Sequence, residues 1–223
     1  MNELELKKLW QATQDKLEES LVVNKKHTED ITRMKVHNLV GSMKPVKIFT
    51  LLVGLLWVGI GGIALSSVYV NSFSGANKFF LFSASIQVLL TAMAVFVYLY
   101  QLITIYQVDI TDPIIRTQEK LASLKMSTLW ITRLLFLQLP VWTTFWWNET
   151  MLTDWNIGQW AVALFFTGSF SVIAIWLWFN LTYENRNKKW FQRIFSGKEW
   201  TPLLKSMELL AQVEDYKGQH AGA

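Results

Sequence analysis

Residues 48–70 read IFTLLVGLLWVGIGGIALSSVYV, a run without a single charge. At about 1.5 Å per helical residue it reaches across a hydrocarbon core of about 30 Å. Three more long apolar runs follow, at 79–106, 129–147 and 158–181. Inside lipid only helices and closed barrels satisfy every backbone polar group, and runs this continuous lack the alternation of barrel strands. The expected fold is therefore all-α. It is a polytopic membrane protein with four transmembrane helices and helical extensions on one side.

Charge sets the expected orientation. Lys and Arg crowd the segment before the first run, the connection between the second and third, and the segment after the fourth. The other two connections, 71–78 and 148–157, hold one Lys between them. The positive-inside rule then places both termini in the cytoplasm. Aromatic residues agree, with Phe79, Phe80, Trp146, Trp147, Trp155 and Trp160 at the outer boundary. A charged stretch of 47 residues ahead of the first run is not the pattern of a cleavable leader.

Composition closes off several functional classes. The chain has no Cys, which removes thiolate nucleophiles, zinc ribbons and iron–sulfur ligation. Its net charge of +4 divides by topology, so it signals no nucleic-acid surface. His27, His37 and His220 are scattered, and neither a phosphate-binding glycine loop nor a nucleophile elbow is present. The expectation is a protein that is not an enzyme and carries no cofactor or metal.

The chain divides into an amphipathic helical arm at 1–47, the bundle at 48–181 with a helical loop at 107–128, and a basic extension with an amphipathic helix at 182–223. Along the arm Leu6, Trp10, Thr13, Leu17, Leu21, Asn24, Thr28 and Ile31 recur at three- and four-residue steps and share one face. Leu6, Trp10, Leu17 and Leu21 are the candidate partner-binding residues. The stripe can fold back on its own bundle, meet a second copy, or dock a cytoplasmic protein. Pro45 then bends the chain, with Lys44 and Lys47 at headgroup level. In VDITDP, Asp112 is the expected cap and Pro113 the first residue of a helix that runs on to Pro140. The fourth run is expected to continue as helix through TYENRNKKWFQRIF to Gly197. A last helix starts at Thr201, with Leu203, Met207 and Leu210 on one face.

Three sets of polar residues stand out. Arg133, the one full charge inside a run, lies about one turn from its inner end; it either snorkels to the headgroups or makes a polar contact in the bundle. Gln87 and Gln138 lie at matched depth, as helix-to-helix glue or as a polar permeation lining. Arg186, Lys188, Lys189 and Arg193, interleaved with Trp190 and Phe191, have the chemistry of an anionic-lipid headgroup contact. Small residues in GIGGIALSS and at Ala163, Thr167 and Ser171 suit close helix packing, within the bundle or in a homodimer.

The stretches MKVHNLVGSMKPVKIFTLLVGLLWV and LFLQLPVWTTFWW resemble an uncharacterised family of small four-span inner-membrane proteins of Bacteroidota. The resemblance implies a sigma-factor-associated, anti-sigma-like or signalling-adaptor role. The absence of Cys departs from the zinc-containing anti-sigma type. Together these readings lead to the expectation of an inner-membrane adaptor or regulatory protein that binds a cytoplasmic partner through its helical arms. The alternative is a small channel or transporter subunit.

The topology has a direct test. Single cysteines at Ser74 and Thr153 should react with a membrane-impermeant thiol reagent in intact cells, and one at Ser20 only after lysis. Labelling of the Ser20 variant in intact cells would overturn the orientation.

Overall fold

The computed structural model describes residues 3–197 and 200–219; the side chains of 3–6, 9, 25 and 214–219 are outside the description. Every regular element among the described residues is helical: α1 (Glu3–Gly41), α2 (Lys44–Asn71), α3 (Lys78–Tyr106), α4 (Ile114–Phe136), α5 (Gln138–Thr144), α6 (Thr150–Asp154) and α7 (Ile157–Asn180). A 3-10 turn at Tyr183–Asn187, α8 (Lys189–Phe195) and α9 (Thr201–Gln219) complete the chain. Three helical stretches are long and apolar enough to cross a membrane: Trp10–Asn71, in which α1 passes into α2 almost without interruption, then α3 and α7.

The expected third run is divided. α4 stops at Phe136, α5 begins at Gln138, and Leu137 between them bonds back only three residues, its N–H donating to the Leu134 carbonyl (3.1 Å). Pro140 explains the break, because its ring has no N–H to give and crowds the carbonyl four residues earlier, that of Phe136. Two further expectations need correction. α4 begins at Ile114, one residue after Pro113, and Asp112 accepts from Lys120 Nζ (2.6 Å) instead of capping the helix. The helix of the fourth run ends at Asn180, so 182–195 is a 3-10 turn and a separate short helix that leave its axis.

Asparagines cap two of the helices. Asn77 Oδ1 accepts from the N–H groups of Phe79 and Phe80 at the start of α3, and Asn156 and Gln159 form a reciprocal capping box on α7. The loop between α3 and α4 is closed by charge. Lys120 beside Asp112 holds that carboxyl below the usual range, and N–H donation from Thr111 does the same for Asp109. With lowered folded pKa values, both contacts are intact above the ordinary carboxylate pKa of about 4 and are lost as pH falls through the lowered values.

The best-packed core lies at one end of the apolar runs, the end of the molecule that holds α8 and α9. Val36, Val40 and Met43 meet Ile105, Leu121, Leu124, Leu177, Leu181, Phe191, Phe195, Trp200, Leu203 and Leu210 there, all buried. α9 runs back along α1, since Leu39 near the end of α1 lines one cleft with Thr201 and Pro202 at the start of α9. Within the apolar runs the outward faces are bare instead: Phe49 is 69% exposed, Ile63 75% and Phe165 70%. Faces of that kind, unbroken by charge, are suited to hydrocarbon and not to water.

α2 rests on α3 through backbone proximity. A Cβ at Gly54 would lie 2.7 Å from Val95 Cγ2, and one at Gly61 3.0 Å from Val88 Cγ2, whereas Gly59 and Gly62 have open space. Gly54→Ala should therefore destabilise the α2–α3 pair by about 1–3 kcal/mol, because Val95 is β-branched and cannot swing away freely. Gly59→Ala should cost nothing measurable. Unfolding in SDS titrations of the purified protein reads the difference.

Candidate functional site

Three places in this fold combine polar groups, cavities or bare apolar surface in ways that packing alone does not require. The first is the free length of α1. Trp10 is 66% exposed, Leu17 62% and Leu21 50%, while from Thr32 onward one face of the same helix, with Thr32, Val36 and Val40, is buried against α9 and the core. Leu6 falls among the side chains outside the description. The described part of the stripe, up to Ile31, thus does not fold back on the bundle. Asp15, Lys16, Glu18 and Glu19 are interleaved with it, which makes lipid an unsuitable cover.

The second place is the basic turn after α7. Arg133 reaches across from α4 and donates from Nε (2.9 Å) and Nη2 (2.6 Å) to the carbonyl of Leu181. Of the two readings open in sequence, it takes the polar contact inside the bundle. Leu181 is fully buried, so this carbonyl would otherwise be a costly orphan. Asn185 Nδ2 donates to the Asn180 carbonyl (2.6 Å) and completes the end of α7. Tyr183 is then held between two cations, with Lys125 Nζ 4.0 Å and the Arg186 guanidinium 4.5 Å from its ring centre. Lys188, Lys189 and Arg193 are exposed beside it. A groove of about 720 Å³ runs between this turn and α9, lined by Tyr183, Arg186, Phe191, Phe195, Trp200 and Met207 among others. Its charged lining is one cation, Arg186, and one carboxylate, Glu208, over an aromatic floor.

The third place is a seam of amides. Phe80 packs on Phe145 (ring centres 4.6 Å apart) and Ser83 Oγ meets Thr144 Oγ1 (3.0 Å), which fixes an antiparallel register between α3 and α5. Carried on, that register puts Gln87 level with Gln138. Sequence expected these two to lie at one depth and to face inward, close enough for a direct or water-bridged contact. Gln87 is 4% exposed, yet both Nε2 atoms are buried with no partner, so the amides do not bond each other.

Sequence reading passed over one residue here and misplaced another. Gln101 is fully buried in α3, where its Nε2 donates to Ser127 Oγ (3.1 Å) and Thr128 Oγ1 (3.4 Å) while Oε1 stays unpartnered. The signal was a lone amide near the end of a run opposite a Ser-Thr pair. Lys47, read as a headgroup residue, is 1% exposed with its ammonium 4.3 Å from the Tyr98 ring centre. No family model, curated protein or solved structure matches the chain.

Arg133→Leu should leave the buried Leu181 carbonyl without a donor and cost about 1.5–3 kcal/mol, the range for hydrogen bonds to charged groups. Arg133→Lys, a point charge lacking the planar fork, should recover part of that. Limited proteolysis of the 182–197 segment, faster in the Leu variant and intermediate in the Lys variant, checks both.

Proposed function

We propose that this chain is a four-span adaptor of the bacterial inner membrane, both termini cytoplasmic, that captures a cytoplasmic protein on the free length of α1. The observation carrying the reading is that α1 keeps Trp10, Leu17 and Leu21 in the open while one face of its continuation is buried. Burying one such side chain fully is worth about 1.5–3 kcal/mol, so the stripe is strong material for a helix-in-groove or coiled-coil contact. The Lys and Arg asymmetry supports the orientation. The fourth crossing is supplied by α5 with the end of α4, which the Pro140 break divides without removing its apolar character. A sigma-type factor is the partner that the family resemblance implies. Arg186, Lys188, Lys189 and Arg193 serve as anionic-lipid contacts that seat the basic turn on the inner leaflet.

The competing reading is a small channel or transporter subunit, and the unpartnered amides of Gln87 and Gln138 favour it. A transport path needs further polar groups in line with them near the bilayer centre. Arg133, the strongest candidate for such a group, already spends two of its donors on Leu181.

A photoreactive residue at Val22, beside the stripe and 66% exposed, should crosslink in native membranes to one cytoplasmic protein. Leu17→Asp combined with Leu21→Asp should abolish that adduct while leaving membrane insertion intact. Survival of the adduct in the double variant, or ion flux through liposomes holding the purified protein alone, would sink the adaptor reading.

A further inference from the structure

A cavity of about 260 Å³ lies where α2, α3 and α5 meet, lined by Trp57, Gly61, Phe80, Gln87, Trp142 and Phe145 among others. Indole N–H groups aside, Gln87 is the only polar side chain along it. Trp57 and Trp142 are each about half exposed, at 53% and 51%, so the cavity communicates with whatever surrounds the helices. The Gln87 residue itself is 96% buried by the complement of its 4% exposure, and its Nε2 has no acceptor. Gln138, one helical turn before Trp142 on α5 and level with Gln87, holds a second buried Nε2 without an acceptor.

A donor in this state is unusual, because buried polar groups are nearly always paired. Of the two amides only Gln87 lines the cavity, and its missing partner is an acceptor. The walls ask for a flat, apolar body, since aromatic rings line three of the approaching helices and the volume holds one or two fused rings. A cavity of about 150 Å³ already takes benzene. We propose that this cavity binds a flat aromatic carbonyl compound dissolved in the bilayer, of the quinone head-group class, with its carbonyl oxygen accepting from the Gln87 amide. This site is separate from the protein-docking arm and rests only on α2, α3 and α5 lying in lipid. A water molecule could quiet one amide, but it would leave the aromatic cavity unfilled.

Menadione and 2-methylnaphthalene, which share a methylated two-ring body and differ in the two carbonyls, separate the possibilities. Purified full-length protein in nanodiscs should bind menadione saturably, and 2-methylnaphthalene about tenfold more weakly, the factor that about 1.4 kcal/mol of hydrogen bonding supplies. Gln87→Leu should lower menadione affinity about tenfold and leave 2-methylnaphthalene unchanged. Ala84→Leu, which fills the cavity, should abolish both. Equal affinity of the wild-type protein for the two compounds, or no saturable menadione binding, overturns the proposal without any reliance on a variant's folding. A protein that stays soluble and does not enter nanodiscs overturns the membrane reading as well, and that outcome is distinct from incorporation without binding.

Discussion

The guanidinium of Arg133 gives two hydrogen bonds to one carbonyl, that of Leu181, and the route of the described residues beyond it follows from that clasp. The last carbonyls of a helix have no partner within it and need donors from elsewhere. Here the donor comes sideways from α4, so α7 stops and the backbone turns at Leu181. Phe191 and Phe195 then fold under the bundle to meet Trp200, with ring centres 4.4–4.6 Å apart along the Phe191–Phe195–Trp200 series. α9 is left pointing back along α1. The core around Leu121, Leu124, Leu203 and Leu210 closes only because of that return.

The two parts of this molecule suit two different solvents. At the α8–α9 end, apolar side chains are hidden, as water demands. Along α2 and α7 large apolar side chains face outward, and hydrocarbon gives them no reason to hide. Association between helices there must come from close approach and hydrogen bonds instead. The contacts are of that kind: Gly54 against Val95, Tyr69 Oη to Ser85 Oγ (3.0 Å), and Thr143 Oγ1 to Thr167 Oγ1 (2.9 Å). The small residues at Gly61 and Thr167 thus serve the bundle, while Gly59 and Gly62 stay open.

The helical class and the three long apolar helices were legible because hydropathy reports the solvent directly. The α9 residues Leu203 and Leu210 were legible as well, since they repeat on one helical face and both are buried. Helix ends were less so. Propensity alone would carry α7 through 182–195, and the group that stops it sits 48 residues earlier in the chain. Lys47 shows the same limit: Lys at the mouth of an apolar run reads as a headgroup residue, but Tyr98 of the neighbouring helix gives it an aromatic face instead. For the amides, the matched level of Gln87 and Gln138 followed from counting. That they would miss each other depends on side-chain direction, which counting does not supply.

The aromatic residues at the far end have an optical consequence. Trp147 lies 5.9 Å from Trp160, and Trp160 5.8 Å from Trp155, while Phe79 packs edge-on to Trp147 at 5.9 Å. Rings this close share their electronic transitions, so the ends of α3, α5 and α7 form a single chromophore only while they are assembled. The protein carries its own spectroscopic gauge of whether that end is closed, readable in near-ultraviolet circular dichroism with no label attached.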